Sequence, residues 1–243
     1  MRPPDAFART EMLLGEKQAA ALRELRVTIV GLGAVGAYVA EFLARSGVER
    51  FLLVDFDRAV ASNLNRHPAV LHSTLGRPKV ELVAARLRDI HPRAEVEAWP
   101  LFFHEETLGQ VLAHPADVLV DAIDSYTPKL LLLRQAWKGP YFLVSAMGAG
   151  GRLDPGRGRG ADLGDTAGCH LARRMRLGLR RHGIETGIRV VFSDEPARPT
   201  AAPEPDGYRR GRLRRVNGSI AYMPAVFAAW ITREILDFSA TRR

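Results

Sequence analysis

Cysteine is nearly absent from this chain: Cys169 is the one thiol in 243 residues. It can form no internal disulfide, and no CxxC pair is present to hold a structural zinc. A reducing, cytoplasmic setting is the expectation. The seven histidines, His67, His72, His91, His104, His114, His170 and His182, show neither metal-ligand spacing nor an HExxH pair, which excludes the common zinc-hydrolase signatures. Long apolar runs are lacking too. The first ten residues carry no signal-peptide core, and the longest late run, 220–231, is too short to span a bilayer, so no membrane association is expected. No internal repeat is visible.

What is present is an ordinary globular composition, 47% hydrophobic and 26% charged, with a formal net charge of +8. The charge is unevenly placed. Residues 1–150 hold 17 Lys+Arg against 17 Asp+Glu, whereas the remainder holds 18 against 10. The whole excess lies in the last third, mostly as arginine. That pattern suggests a polyanionic partner contacting this region, against the plainer reading of a solvated arginine-rich surface.

Periodicity divides the first two thirds into alternating elements. A helix-like segment, 10–25, precedes the buried-strand run VTIVG, a glycine turn and an apolar-periodic stretch, 35–44. FLLVDFD then reads as a second strand, RPKVELVAARLRDIHP as a helix, VEAWPL and DVLVDAID as strands, 128–137 as a helix and YFLVSA as a strand. Such alternation predicts an α/β fold with a doubly wound, mostly parallel sheet. After Ala149 the texture changes to a glycine-rich connection, then the basic helix candidate LARRMRLGLRRHG and the strand-like RVVFS. A proline-rich loop, 196–216, and a closing helix, 220–236, complete the chain. The expected organisation is a helical segment over 1–26, a nucleotide-binding domain over 27–149 and an appended basic α/β region over 150–243.

Gly31, Gly33 and Gly36 form GLGAVG between a strand and a helix, the context in which the fingerprint has a physical meaning. Gly31 permits the tight turn, Gly33 lets phosphates approach the backbone, and the helix start offers unpaired amides. Asp55 ends the next strand and is placed to bind ribose hydroxyls. These residues alone do not separate NAD from ATP. Arg66 and Lys79 add fixed positive charge suited to a triphosphate, and Asp124, at the carboxyl end of a strand, can hold Mg²⁺ opposite the phosphates. Each charged residue taken singly reads equally well as an ordinary salt-bridge partner.

GLGAVG, LVDFD, SNLNR, GRPK and DAIDS in this order resemble the nucleotide site of the ThiF/MoeB/HesA family, relatives of ubiquitin-activating enzymes. SAMGAGGRLDP, VVFSDEP and NGSIAYMPAVF resemble the tRNA threonylcarbamoyladenosine dehydratase branch, so the similarity spans nearly the whole chain. The resemblance implies that Gly31, Gly33, Gly36, Asp55, Asp57, Asn63, Arg66, Lys79, Asp124 and Ser125 bind Mg-ATP, with Asp124 as metal ligand. It implies catalytic roles for Arg66, Lys79 and Asp124, and a homodimer in which Arg9 reaches the other subunit's ATP. The activity implied is adenylation of the carboxylate of N6-threonylcarbamoyladenosine in tRNA, with ring closure and release of AMP. Two departures stand out: Cys169-His170 replaces an Asp-Pro start to the basic helix, and Ala6 replaces an arginine.

Two other functions fit the same nucleotide motifs. One is adenylation of the C-terminal glycine of a ubiquitin-like or sulfur-carrier protein; the other is a non-catalytic nucleotide-binding module. Whether a sulfur-transfer or cysteine desulfurase partner cooperates is left open by the residues. Missing zinc cysteines and the arginine-rich last third lean toward tRNA. Cys169, beside His170 and before a basic helix, is either a nucleophile for a covalent relay or a bystander thiol.

Overall fold

The computed structural model describes residues 6–199 and 218–242. Five parallel strands follow from the apolar runs: β1 (Arg26–Val30), β2 (Arg50–Val54), β3 (Glu95–Trp99), β4 (Val118–Asp121) and β5 (Phe142–Ala146). Two more, β6 (Gly158–Asp162) and β7 (Arg189–Ser193), extend the same sheet. The order is β3-β2-β1-β4-β5-β7-β6, with β6 alone antiparallel. Because β1 lies between β2 and β4, the crossovers run outward in both directions from it. A crevice opens at such a switch point, beyond the carboxyl ends of the strands.

Side chains alternate across each strand and feed two cores. Val27, Ile29 and Leu53 face a layer made by α2 (Glu16–Glu24), α3 (Ala34–Arg45), α4 (Lys79–Ile90) and α8 (Tyr222–Thr241). Val30, Leu52 and Val54 face the layer of α5 (Glu105–Ala113), α6 (Tyr126–Ala136) and α7 (His170–Arg180). Helix α8 buries Met223, Phe227, Ile231 and Ile235 at helical spacing. Among the described residues no helix is long and apolar enough to cross a membrane.

Several elements differ from the sequence reading. The helix expected over 10–25 is two, α1 (Ala8–Leu14) and α2, because Gly15 adopts a φ of +81° between them. Helix α5 was absent from the expectation; it buries Val111 alone and is started by the His104 side chain, which accepts the Glu106 N–H. The glycine-rich connection contains β6. Its glycines leave room for α8: Gly158 lies under Trp230, and the Glu234 carboxylate, held by Arg189, stands where a side chain at position 160 would be. The sheet therefore runs unbroken across the boundary expected at 149/150, and the region after it is continuous with the nucleotide-binding half. The closing helix extends to Thr241. Most of the proline-rich loop expected over 196–216 lies outside the described residues.

One ionic cluster ties the amino ends of β1 and β4 to the end of the chain. The Asp117 carboxylate accepts the Arg26 backbone N–H at 2.9 Å, its guanidinium at 3.1 and 3.2 Å, and Arg242 at 2.9 Å. Burial alone would raise the Asp117 pKa, but these bonds outweigh it and hold the group down at about 2. A carboxylate depressed in the fold stabilises it above the unfolded pKa, and the contribution is lost as pH falls through the folded value. Since Arg26 is about half exposed, solvent screening reduces the effect to roughly 1–2 kcal/mol. Urea denaturation should show Asp117→Asn less stable by this amount at pH 7, with the difference closing between about pH 4 and pH 2.

Candidate nucleotide site

The glycine turn is built where atoms leave no choice of residue. Gly31 has a φ of +94°, donates its N–H to the Val54 carbonyl at 2.8 Å, and would press a Cβ to 2.8 Å from the Ala122 backbone after β4. Gly36, in the first turn of α3, would carry its Cβ 2.0 Å from the Gly31 carbonyl oxygen. Gly33 differs from both. Its φ of −63° suits any residue and nothing lies within 4 Å of a Cβ built there. The turn thus packs by Gly31 and Gly36 and presents open space at Gly33, before a helix start whose first amides have no intrahelical partner.

Asp55 locks the turn from β2. Its carboxylate accepts the Leu32 N–H at 2.5 Å and the Asp57 N–H at 2.7 Å. Burial raises its pKa, with Lys79 acting in the opposite direction. Asp57 in turn pairs with the Lys79 Nζ at 2.8 Å, while its backbone carbonyl accepts the Lys79 N–H. Lys79 opens α4 with a side chain only 7% exposed, so its charge is already partnered. Arg66 is different: its guanidinium donates to the Ser62 carbonyl and the Asn65 side chain and has no carboxylate partner among the described residues. Asn63 closes the 3-10 turn Ala61–Asn63, and its carbonyl accepts the Arg66 and His67 amides.

Across the switch point, the turn after β4 brings Asp124 and Ser125 to the start of α6, with the Ser125 hydroxyl donating to Asp124 at 3.2 Å. That turn rests on a fully buried set: Asp121 accepts the Ile123 N–H, the Ser145 hydroxyl at 2.6 Å and the Lys129 ammonium at 2.5 Å. Sequence reasoning missed this triad, since Lys129 lies inside an apolar helix and carries no motif. It also missed His67, 5% exposed, whose Nε2 donates to the Leu32 carbonyl at 2.9 Å. Burial lowers its pKa to about 4, so the ring is neutral at pH 7.

Arg9 lies exposed on α1, and its side chain makes no hydrogen bond or ion pair with the described residues. Cys169 is buried at the start of α7, on the side of the core that also holds Met175 and Leu179. A thiol so enclosed is unsuited to nucleophilic attack. No group of three or more His, Cys, Asp or Glu able to hold a metal exists among the described residues. The donor set does fit a Mg²⁺ shared with phosphates, which needs only one or two carboxylates from the protein.

The geometry separates two glycine substitutions. Gly33→Ala should leave the melting temperature nearly unchanged and weaken ATP binding about tenfold or more, because the added methyl fills the space a phosphate needs. Gly36→Ala should lower stability by roughly 2 kcal/mol or more through its backbone clash. Calorimetry with ATP and thermal unfolding check both; wild-type affinity in Gly33→Ala would remove Gly33 from the ligand's path.

Comparison with known proteins agrees with this geometry. The family model described as "ThiF family" matches residues 7–242. The chain is 41% identical over 189 residues to the tRNA threonylcarbamoyladenosine dehydratase of Bacillus subtilis, covering 78% of this chain and 74% of the relative. The Escherichia coli protein of the same name is 32% identical over 208 residues, covering 83% and 76%. The crystal structure of the E. coli enzyme in complex with ATP superposes with a TM-score of 0.87 at 28% identity, covering 97% of this chain and 93% of that one. With the glycine turn, Asp55 and the Asp124 turn meeting at one switch point, and a match running almost end to end, the chain belongs to the ThiF family.

Proposed function

We propose that this protein is an ATP-dependent tRNA threonylcarbamoyladenosine dehydratase acting in the cytoplasm. The similarity to relatives of that name carries the reading, since it covers 78% of this chain in sequence and 97% in structure and so extends beyond the nucleotide motifs. The substrate carboxylate attacks the α-phosphorus of ATP and pyrophosphate leaves. The activated carbonyl is then captured within the same modified base, closing a ring and releasing AMP.

The residues divide this work. Open space at Gly33 and the α3 amides receive phosphate oxygens, Asp55 receives ribose, and Arg66, which has no carboxylate partner among the described residues, supplies positive charge against the triphosphate. Lys79 joins it by exchanging Asp57 for phosphate. Asn63 and Ser125 complete the ligand's polar contacts. Asp124 would hold Mg²⁺, which supplies charge neutralisation of the phosphates when bound. Positioning and electrostatics suffice because the second nucleophile belongs to the substrate, and the enclosed Cys169 supports a route without an enzyme thioester. Met12 and Leu13, each more than four-fifths exposed beside Arg9 on α1, support a homodimer in which a second copy covers them and Arg9 reaches the partner's triphosphate.

The test is mass spectrometry of tRNA nucleosides after incubation with enzyme and ATP. The modified adenosine should lose the mass of one water, and Arg66→Ala and Lys79→Ala should each slow that loss by about ten- to a hundredfold. An unchanged nucleoside, with pyrophosphate released on addition of a small protein ending in glycine, would favour the sulfur-carrier reading.

The basic surplus of the last third also becomes more specific. Arg157 and Arg159 share the Asp194 carboxylate, and Arg189 pairs with Glu234. Arg173, Arg174, Arg180 and Arg181 on and after α7 are exposed and have no carboxylate partner among the described residues. Arg174 stacks 4.2 Å over the ring of Tyr126, the residue after Ser125, so this face leads toward the nucleotide site. If tRNA phosphates lie along it, replacing all four arginines by alanine should flatten the slope of log affinity against log salt by about one unit per arginine. An unchanged slope would place the RNA on another surface.

A further inference from the structure

His67 sits between two parts of the candidate site that the chain supplies separately. On one side is the glycine turn after β1; on the other is the segment 61–70, which carries Asn63 and Arg66. The contact between them is specific. Ala69 donates its backbone N–H to the His67 Nδ1 at 3.2 Å, which makes Nδ1 the acceptor of the neutral ring and leaves the proton on Nε2. That proton is given to the Leu32 carbonyl at 2.9 Å. The Leu32 N–H is meanwhile held by Asp55, so this residue is fixed from both ends.

The consequence lies one peptide further along. In a planar trans peptide the carbonyl of Leu32 and the N–H of Gly33 point in opposite directions. Holding the carbonyl on His67 therefore turns the Gly33 amide the other way. The ring also holds its own segment through the Ala69 N–H, and the backbone there is tied to Arg66, since the Asn63 carbonyl accepts both the Arg66 and the His67 amides. A buried imidazole with both nitrogens satisfied and a single permitted tautomer is suited to setting a peptide plane.

We propose that His67 is a positioning residue for phosphate recognition, fixing the Leu32–Gly33 peptide through its Nε2–H and registering the Arg66 segment against the glycine turn. This rests on the reading that the site takes ATP. The effect should appear in the phosphate-dependent part of binding, because the adenine and the nucleoside do not depend on the Gly33 amide.

The test compares ATP with adenosine, by calorimetry, on wild-type protein, His67→Leu and His67→Gln. The leucine variant should bind ATP about tenfold more weakly, the cost of one hydrogen bond, with adenosine affinity within about twofold of wild type. Glutamine, whose amide can donate to the Leu32 carbonyl, should restore ATP affinity to within about threefold. Equal weakening toward ATP and adenosine, wild-type ATP affinity in His67→Leu, or a glutamine variant as weak as leucine would each overturn the proposal. Nitrogen-15 spectra of the wild-type imidazole decide the matter without any variant: they should show a protonated Nε2 and an unprotonated Nδ1, and the opposite tautomer would overturn it. Wild-type protein that binds no ATP would overturn the nucleotide reading itself, a result distinguishable from loss confined to the variants.

Discussion

The turn after β1 packs so closely on the turn after β4 that only hydrogen fits at Gly31. Its backbone would meet that of Ala122 and Ile123 through any side chain, and Gly36 closes on Gly31 from the other side. This contact brings the carboxyl ends of two strands, 91 residues apart at Val30 and Asp121, to one point. The beginning of α3, the Asp55 carboxylate and the Asp124 turn all take their places from it. Without it, the switch point would be a crevice with no floor, and its amides would face no common ligand.

Around this contact the polar groups are sorted by depth. The deepest, Asp121, Lys129 and Ser145, bond to one another under the β4 turn, as buried charges must be paired. Asp55 and His67 form the next level and are each bonded to the Leu32 peptide. Nearer the surface, Lys79 is balanced by Asp57, while Arg66 keeps a charge that no described carboxylate neutralises. A site ordered in this way offers fixed dipoles and, at Arg66, a cation with no carboxylate partner among the described residues to an anion arriving from solvent, with little reorganisation required.

The carboxyl-terminal third shows the same economy in its charges. Arginines on β6 and β7 are paired with carboxylates, and Arg176 is tied to the backbone and hydroxyl of Thr166. Those on the outer face of α7 have no such partners among the described residues. Because Arg174 lies against Tyr126, the exposed basic face and the nucleotide site share the α6–α7 contact. The region is thus part of the sheet and of the site's surroundings, joined to them by strand pairing and by α8.

The sequence alone determined the central parallel strands, most of the helices between them and the identity of the glycine turn, because those signals are local: apolar periodicity, a helix-ending proline, three glycines between a strand and a helix. It also determined the family resemblance, which rests on ordered short motifs. Tertiary structure decided what depends on distant neighbours. The strand β6 could not be read from RGRGAD, since its glycines are required by Trp230 and Glu234 of a helix some seventy residues later. Lys129 carries no motif, and His67 shows no spacing that sets it apart from the other histidines, until the fold places a carboxylate beside one and a carbonyl beside the other. Even the unequal roles of the three fingerprint glycines, two packed and one open, follow from atoms that the turn itself does not contain.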